Sequence, residues 1–142
     1  MSAAKAIQFI NIVKRDGRKE SLNIDKIHKV VSKAVEGLSG VSASEVELKS
    51  QLQFFDGMKT TDIQETLIKA AADLISEETP NYQYVAGRLI SYTLRKEVYG
   101  TYQPVDLYTH VCNIVKEGFY TKELLKWYTK EEFDSLNEEI DH

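Results

Sequence analysis

The chain lacks the residues on which several classes of function depend. Cys112 is the only cysteine in 142 residues, which excludes an internal disulfide, a multi-cysteine zinc site and a thiol redox pair. The matching expectation is a cytoplasmic protein. No run of roughly 18 apolar residues occurs, so no membrane-spanning helix is predicted. The opening stretch MSAAKAIQFINIVKRDG is interrupted by polar residues too early to be a secretory leader. Only three histidines are present. His28, His110 and His142 have no metal-ligand spacing with one another or with Cys112. A phosphate-cradling G-x-x-x-x-G-K-[ST] loop is absent, as is any local nucleophile motif. An excess of positive charge is missing too. The total of −4 argues against a protein that binds nucleic acid over its whole surface.

What positive charge there is sits at one end. Residues 1–35 hold eight Lys and Arg against three acids, a net of +5, so the other 107 residues sum to −9. A basic patch on an acidic body suits a small anionic ligand, although a cluster of this kind is commonly just a solvated face.

Residues 7–14, IQFINIVK, read as a strand, RDGRK as a turn in which Gly17 takes positive φ, and ESLN as the returning strand. Ile27, Val30, Val31, Ala34, Val35 and Leu38 then form one helical stripe. Asn23 or Asp25 can cap this helix, and Gly37 or Gly40 can end it. A second helix is predicted to open at Ser44 with Glu47 in a capping box. It would carry Leu48, Leu52 and Phe55 and stop near Asp56-Gly57. MKTT is short and extended. Thr61 with Gln64 forms another capping-box pattern, opening a third helix with Ile63, Leu67, Ala70, Ala71 and Leu74 on one face. Pro80 suits the start of a fourth helix that ends at Gly100. A fifth begins near Pro104 and closes at Gly118, followed by two short helical pieces in TKELLKWYT and TKEEFDSLNEEIDH. The fold class is therefore mainly α: a four-helix bundle with a small β-hairpin or three-stranded sheet over residues 1–100, and a helical extension over 101–142.

On the hairpin, Lys and Arg suit phosphate oxygens and turn amides can add donors. Glu20 can accept from an exocyclic amine such as that of adenine, and Asn23 can both donate and accept. Thr60 and Thr61 lie at a helix N-terminus, where free N–H groups favour an anion. The tyrosines at helical spacing, and Trp127-Tyr128, read as packing aromatics.

VKRDGRKESLNIDKIHKVV, QFFDGMKTTDIQETLIKAAADLI and PNYQYVAGRLISYTLRKEVYG, in this order and spacing, resemble the ATP-cone at the N-terminus of ribonucleotide reductase large subunits. YQPVDLYTHVCNIVKEGFYTKELLKWYTKEEFDSLNEEIDH is similar to the helical connector between cone and catalytic barrel in the class I, aerobic, enzymes. The cone also occurs in a reductase-gene repressor with a four-cysteine zinc ribbon, which one cysteine rules out.

The resemblance implies an allosteric domain that binds ATP or dATP, with Mg²⁺, to control reduction of ribonucleoside diphosphates. By position it implies that Lys14 and Arg15 meet phosphate and that Glu20 and Asn23 read the adenine edge. The run Glu20, Ser21, Leu22, Asn23, Ile24, Asp25 and Lys26 would line the site, with Lys26 near the ribose and phosphates. Thr60 falls on the phosphate side, Gln64 one turn into the third helix, and Lys96 reaches the phosphates from the fourth. Many dATP-inhibited members carry a histidine where Gln64 stands. Gln can hydrogen-bond but carries no imidazole charge, so the resemblance implies nucleotide binding and leaves inhibition by dATP open. The family's catalytic cysteines and barrel match nothing here, so the chain is not expected to catalyse alone. It reads as a cut-down piece or one separately encoded part of a split large subunit. Its implied partners are the barrel-containing remainder and the radical-generating small subunit, with no nucleic acid and no membrane. The alternative is a degenerate cone serving only as an interaction module for the rest of the reductase.

Overall fold

A computed structural model describes residues 10–140, and the chain divides into two compact units between Leu94 and Arg95. Strand β1 (Asn11–Val13) pairs antiparallel with β2 (Lys19–Ser21) and parallel with β3 (Met58–Lys59), giving the order β2-β1-β3. The part of the first predicted strand before Ile10 lies outside the described residues. Asp16 has no positive φ while Gly17 has φ 84°. A two-residue type I′ turn needs positive φ at both central residues, so the hairpin closes instead through Arg15-Asp16-Gly17. Lys14 N–H donates to the Arg18 carbonyl at 2.8 Å, and Gly17 N–H to the Lys14 carbonyl at 2.9 Å.

Among the described residues the first unit adds four helices: α1 (Ile24–Val35), α2 (Ala43–Gln51), α3 (Thr60–Ala72) and the greater part of α4 (Tyr82–Tyr99). Asn23, not Asp25, caps α1, its side chain accepting from Lys26 N–H at 3.0 Å. Helix α1 turns Ile27, Val31 and Ala34 inward. Helix α3 contributes Ile63, Leu67, Ala70 and Ala71, and α4 contributes Tyr82, Val85, Ala86 and Leu89. Ile12, Leu22 and Met58 seal the sheet onto this cluster. Each large apolar side chain buried in this way contributes about 1.5–3 kcal/mol. The buried hydroxyls of Ser50 and Thr66 donate back to the carbonyls of Glu47 and Asp62 at 2.9 and 2.7 Å, which satisfies them within their own helices.

Two helix starts differ from the sequence expectation. Helix α2 has Ser42, not Ser44, at its N-cap position and no side-chain cap. Glu47 instead faces His28 Nδ1 at 2.8 Å, and Tyr82 Oη accepts from Ser42 N–H at 3.0 Å and donates to Glu45. These contacts set the register so that Val46 is fully buried while Leu48, Leu52 and Phe55 are exposed. The helix also ends earlier, at Gln51. Helix α3 begins at Thr60 with Lys59 at the N-cap position, again without a side-chain cap. The Thr61–Gln64 box does not form, because backbone pairing of Val13 with Lys59 starts the helix two residues sooner.

The second unit holds the last turn of α4, then α5 (Leu107–Lys116), α6 (Leu124–Trp127) and α7 (Lys130–Glu138). Asp106 caps α5, accepting from Thr109 N–H at 2.9 Å. Thr129 and Glu132 form a reciprocal capping box on α7. Phe133, packed against Tyr108 and Tyr128, and Val111 are buried. Asn137 Oδ1 accepts from Leu107 N–H at 2.9 Å. Among the described residues no helix is long and apolar enough to cross a membrane.

Candidate functional site

In an antiparallel pair, directly opposed residues share a face, as do residues two apart on one strand. Ile12 opposes Glu20, so Lys14 and Glu20 continue the face on which Ile12 and Leu22 are buried. They stand where that face leaves the core. Lys14 Nζ lies 2.9 Å from Glu20 Oε1, with the two side chains 29% and 37% exposed. Lys26, on the first turn of α1, brings its Nζ to 3.9 Å from the same oxygen. The hydrogen bond from Lys14, aided by the charges of Lys14, Lys26 and Arg18, holds the Glu20 carboxyl below the usual carboxylate range.

The hairpin loop also reaches α3. Arg15 donates from its guanidinium to Gln64 Oε1 at 3.3 Å, across 49 positions of sequence. Parallel pairing of Val13 with Lys59 sets Thr60 beside the same strand end. The hairpin tip, the start of α1 and the side-chain-uncapped start of α3 thus lie together. Such a helix start presents amide donors and the positive end of the helix dipole.

The expected site residues divide accordingly. Lys14, Glu20 and Lys26 touch one another, and Arg15 touches Gln64. Thr60 is half-buried as the first residue of α3. Asn23 is exposed, but its side-chain oxygen is committed to the α1 cap, leaving the amide as its outward-facing chemistry. Ser21 and Asp25 are exposed, and Ile24 is half-buried against the core. Leu22 is a core side chain whose N–H donates to the Ile10 carbonyl at 2.8 Å, so it supports the site from beneath. Lys96 belongs to the second unit, its Nζ 5.2 Å from the Tyr102 ring centroid. Its assignment to phosphate rests on the resemblance alone.

Sequence reasoning missed two arrangements. Arg18 is turned onto Asp16, Nε to Oδ2 at 2.7 Å, which removes one cation from the apparent patch. Asp16 accepts from the Arg18 backbone N–H and then its side chain, and both hold its carboxyl low; the adjacent D-G-R was the available signal. Asp56 accepts from Asn11 backbone N–H at 2.8 Å and from its side-chain amide at 3.2 Å, fixing the strand that carries Lys14. Nothing local in sequence marks that pairing, since the partners are 45 residues apart.

Comparison with known proteins bears on this arrangement. The ATP cone domain family matches residues 10–97. The chain is 53% identical over 135 residues to ribonucleoside-diphosphate reductase 1 subunit alpha of Escherichia coli, covering 95% of this chain and 18% of that protein. It is 52% identical over 131 residues to the alpha subunit of Haemophilus influenzae, covering 92% and 17%. It is 46% identical over 138 residues to that of Enterobacteria phage T4, covering 96% and 18%. The chain therefore spans under a fifth of the length of these relatives, and the part it matches is their N-terminal region.

Proposed function

The chain belongs to the ATP cone family, and from that premise we propose that it is the nucleotide-sensing part of a class I ribonucleotide reductase large subunit. ATP or dATP binds at the hairpin end of the first unit and controls ribonucleoside diphosphate reduction carried out elsewhere in the assembly. The observation that carries this reading is the meeting of Lys14, Lys26 and Glu20 with Arg15, Gln64 and the side-chain-uncapped start of α3. Two ammonium groups and a guanidinium fit a polyphosphate. Glu20 and the Asn23 amide fit the edge of a base. Mg²⁺, when it accompanies the triphosphate, would be held by phosphate oxygens. The barrel-containing remainder of the large subunit and the radical-generating small subunit are the proposed partners, in the cytoplasm.

Calorimetry of the chain with ATP and with dATP, Mg²⁺ present, tests this. Saturable heat with a dissociation constant on the order of micromolar to millimolar is expected, and it should be lost or strongly weakened by Lys14→Ala. Absence of both heat and thermal shift with either nucleotide would overturn the reading. It would favour a cone that serves only as an interaction module, for which exposed Leu48, Leu52 and Phe55 offer an apolar surface.

A further inference from the structure

Glu20 holds the position a ligand's negative charge would take. Its Oε1 is 2.9 Å from Lys14 Nζ and 3.9 Å from Lys26 Nζ, and a carboxylate can only accept hydrogen bonds. These are the cations that the nucleotide reading assigns to phosphate, and the inference rests on that reading. We infer that Glu20 is an internal stand-in for phosphate, and that its displacement makes polyphosphate binding depend on a base able to donate a hydrogen bond.

The logic is an exchange of partners. A polyphosphate that draws Lys14 and Lys26 away leaves the Glu20 carboxylate without its hydrogen bond from Lys14 and its ion pair with Lys26, and facing a like charge. An unpaired carboxylate beside an anion opposes binding. A base with an exocyclic amine, as in adenine, supplies a replacement donor, so Glu20 passes from the lysines to the base. A polyphosphate without a base offers no such donor. One carboxylate therefore opposes phosphate alone and favours phosphate joined to an amino-bearing base. Glu20 sits at the middle of β2, with the two lysines in reach and the exposed Ser21 and Asn23 following it toward solvent. The hydrogen bond from Lys14 that depresses the Glu20 carboxyl is the interaction exchanged when the ligand binds.

Calorimetric titration of the unaltered chain and of Glu20→Gln, each with Mg-ATP and with Mg-tripolyphosphate, tests the exchange. In Glu20→Gln, tripolyphosphate should bind about threefold to tenfold more tightly, and the preference for ATP over tripolyphosphate should fall by about tenfold. Tighter tripolyphosphate with an unchanged preference would reduce Glu20 to a general field effect and overturn the inference, as would weaker tripolyphosphate. Failure of ATP to bind the unaltered chain would overturn the nucleotide reading and this inference together, whereas the other failures leave that reading standing. A second measurement needs no variant: carbon-detected titration of the Glu20 carboxyl in the unaltered chain. Saturating tripolyphosphate should raise its titration toward or above the ordinary value of 4.5, and ATP should raise it less. Equal effects of the two ligands would again overturn the inference.

Discussion

Among the described residues, fifteen apolar side chains of the first unit are buried in one cluster, whereas between Arg95 and Ile140 only Val111 and Phe133 are buried. The second unit exposes Phe119, Trp127 and Leu136 at 77, 64 and 55%. Its order comes from local devices: the Asp106 cap, the Thr129–Glu132 box, the Lys130–Asp134 ion pair at 2.6 Å and the Asn137 bond to Leu107. The contrast shows why the candidate site stands on the first unit. Side chains that must be held in place need neighbours locked by packing. Lys14 and Glu20 stand where the buried face of the hairpin leaves that cluster, and Lys26 and Gln64 project from helices whose inward faces lie in it.

Removing one core side chain from each unit should separate the two most strongly. Phe133→Ala should cost about 3–5 kcal/mol, on the order of all that a small unit holds. Helices α5 and α7 should then lose amide-exchange protection, and Trp127 fluorescence should start at its unfolded value in a urea titration. Leu67→Ala removes one residue of fifteen. It should cost about 3 kcal/mol and leave α1 to α4 folded, with a lower urea midpoint by circular dichroism. Equal survival of both variants would show that the two units are held alike.

Next in size are the caps. Asn23→Ala and Thr129→Ala should each cost about 1 kcal/mol, read from urea midpoints. In the first case the loss should be accompanied by weaker nucleotide binding, because the Asn23 cap positions the turn that carries Lys26. A full loss of binding with no change in midpoint would mean that Asn23 contacts the ligand directly and that its cap is incidental.

The smallest effect is a pH dependence, and it pairs the two units. Glu20 is held low chiefly by the Lys14 hydrogen bond, and Asp106 chiefly by the Thr109 backbone N–H. A carboxyl lowered by folding contributes stability that is complete above its ordinary value and is lost as pH falls through its folded value. Both contributions should therefore be intact at neutral pH and disappear only below the ordinary values of 4.5 and 3.8. Carboxyl titration by NMR checks this. Lys14→Ala should return Glu20 toward 4.5 while Asp106 stays low.

Much of the fold is readable along the chain where one face repeats strongly. The stripe through Ile27, Val31 and Ala34 is the inward face of α1, and Ile63, Leu67, Ala70 and Ala71 form that of α3. Helix α2 shows the limit. It buries only Val46 and Ser50, so its own periodicity is weak. Ser44-x-x-Glu47 is a sound local capping signal, yet Glu47 faces His28 and Ser42 N–H bonds to Tyr82 Oη. Those partners lie 19 and 40 residues away, and they set both the start of the helix and the face it buries. The candidate site divides in the same way. The Lys, Arg and Glu of the hairpin are visible as chemistry, but their partners are not. Arg15 meets Gln64 only because β3 pairs parallel with β1.

Local terms are legible in the chain alone: a hairpin that Gly17 can close, an amphipathic helix after it with Asn23 or Asp25 to cap it, and a concentration of positive charge in the first 35 residues. Periodicity and backbone preference act over a few residues, and those are what the chain carries openly. The fold in three dimensions adds that Glu20 pairs with Lys14 and Lys26, that Arg18 turns onto Asp16, and that Leu48, Leu52 and Phe55 face outward. Charge pairing and burial depend on distances in space, and strand register and helix packing set those distances between residues far apart in the chain.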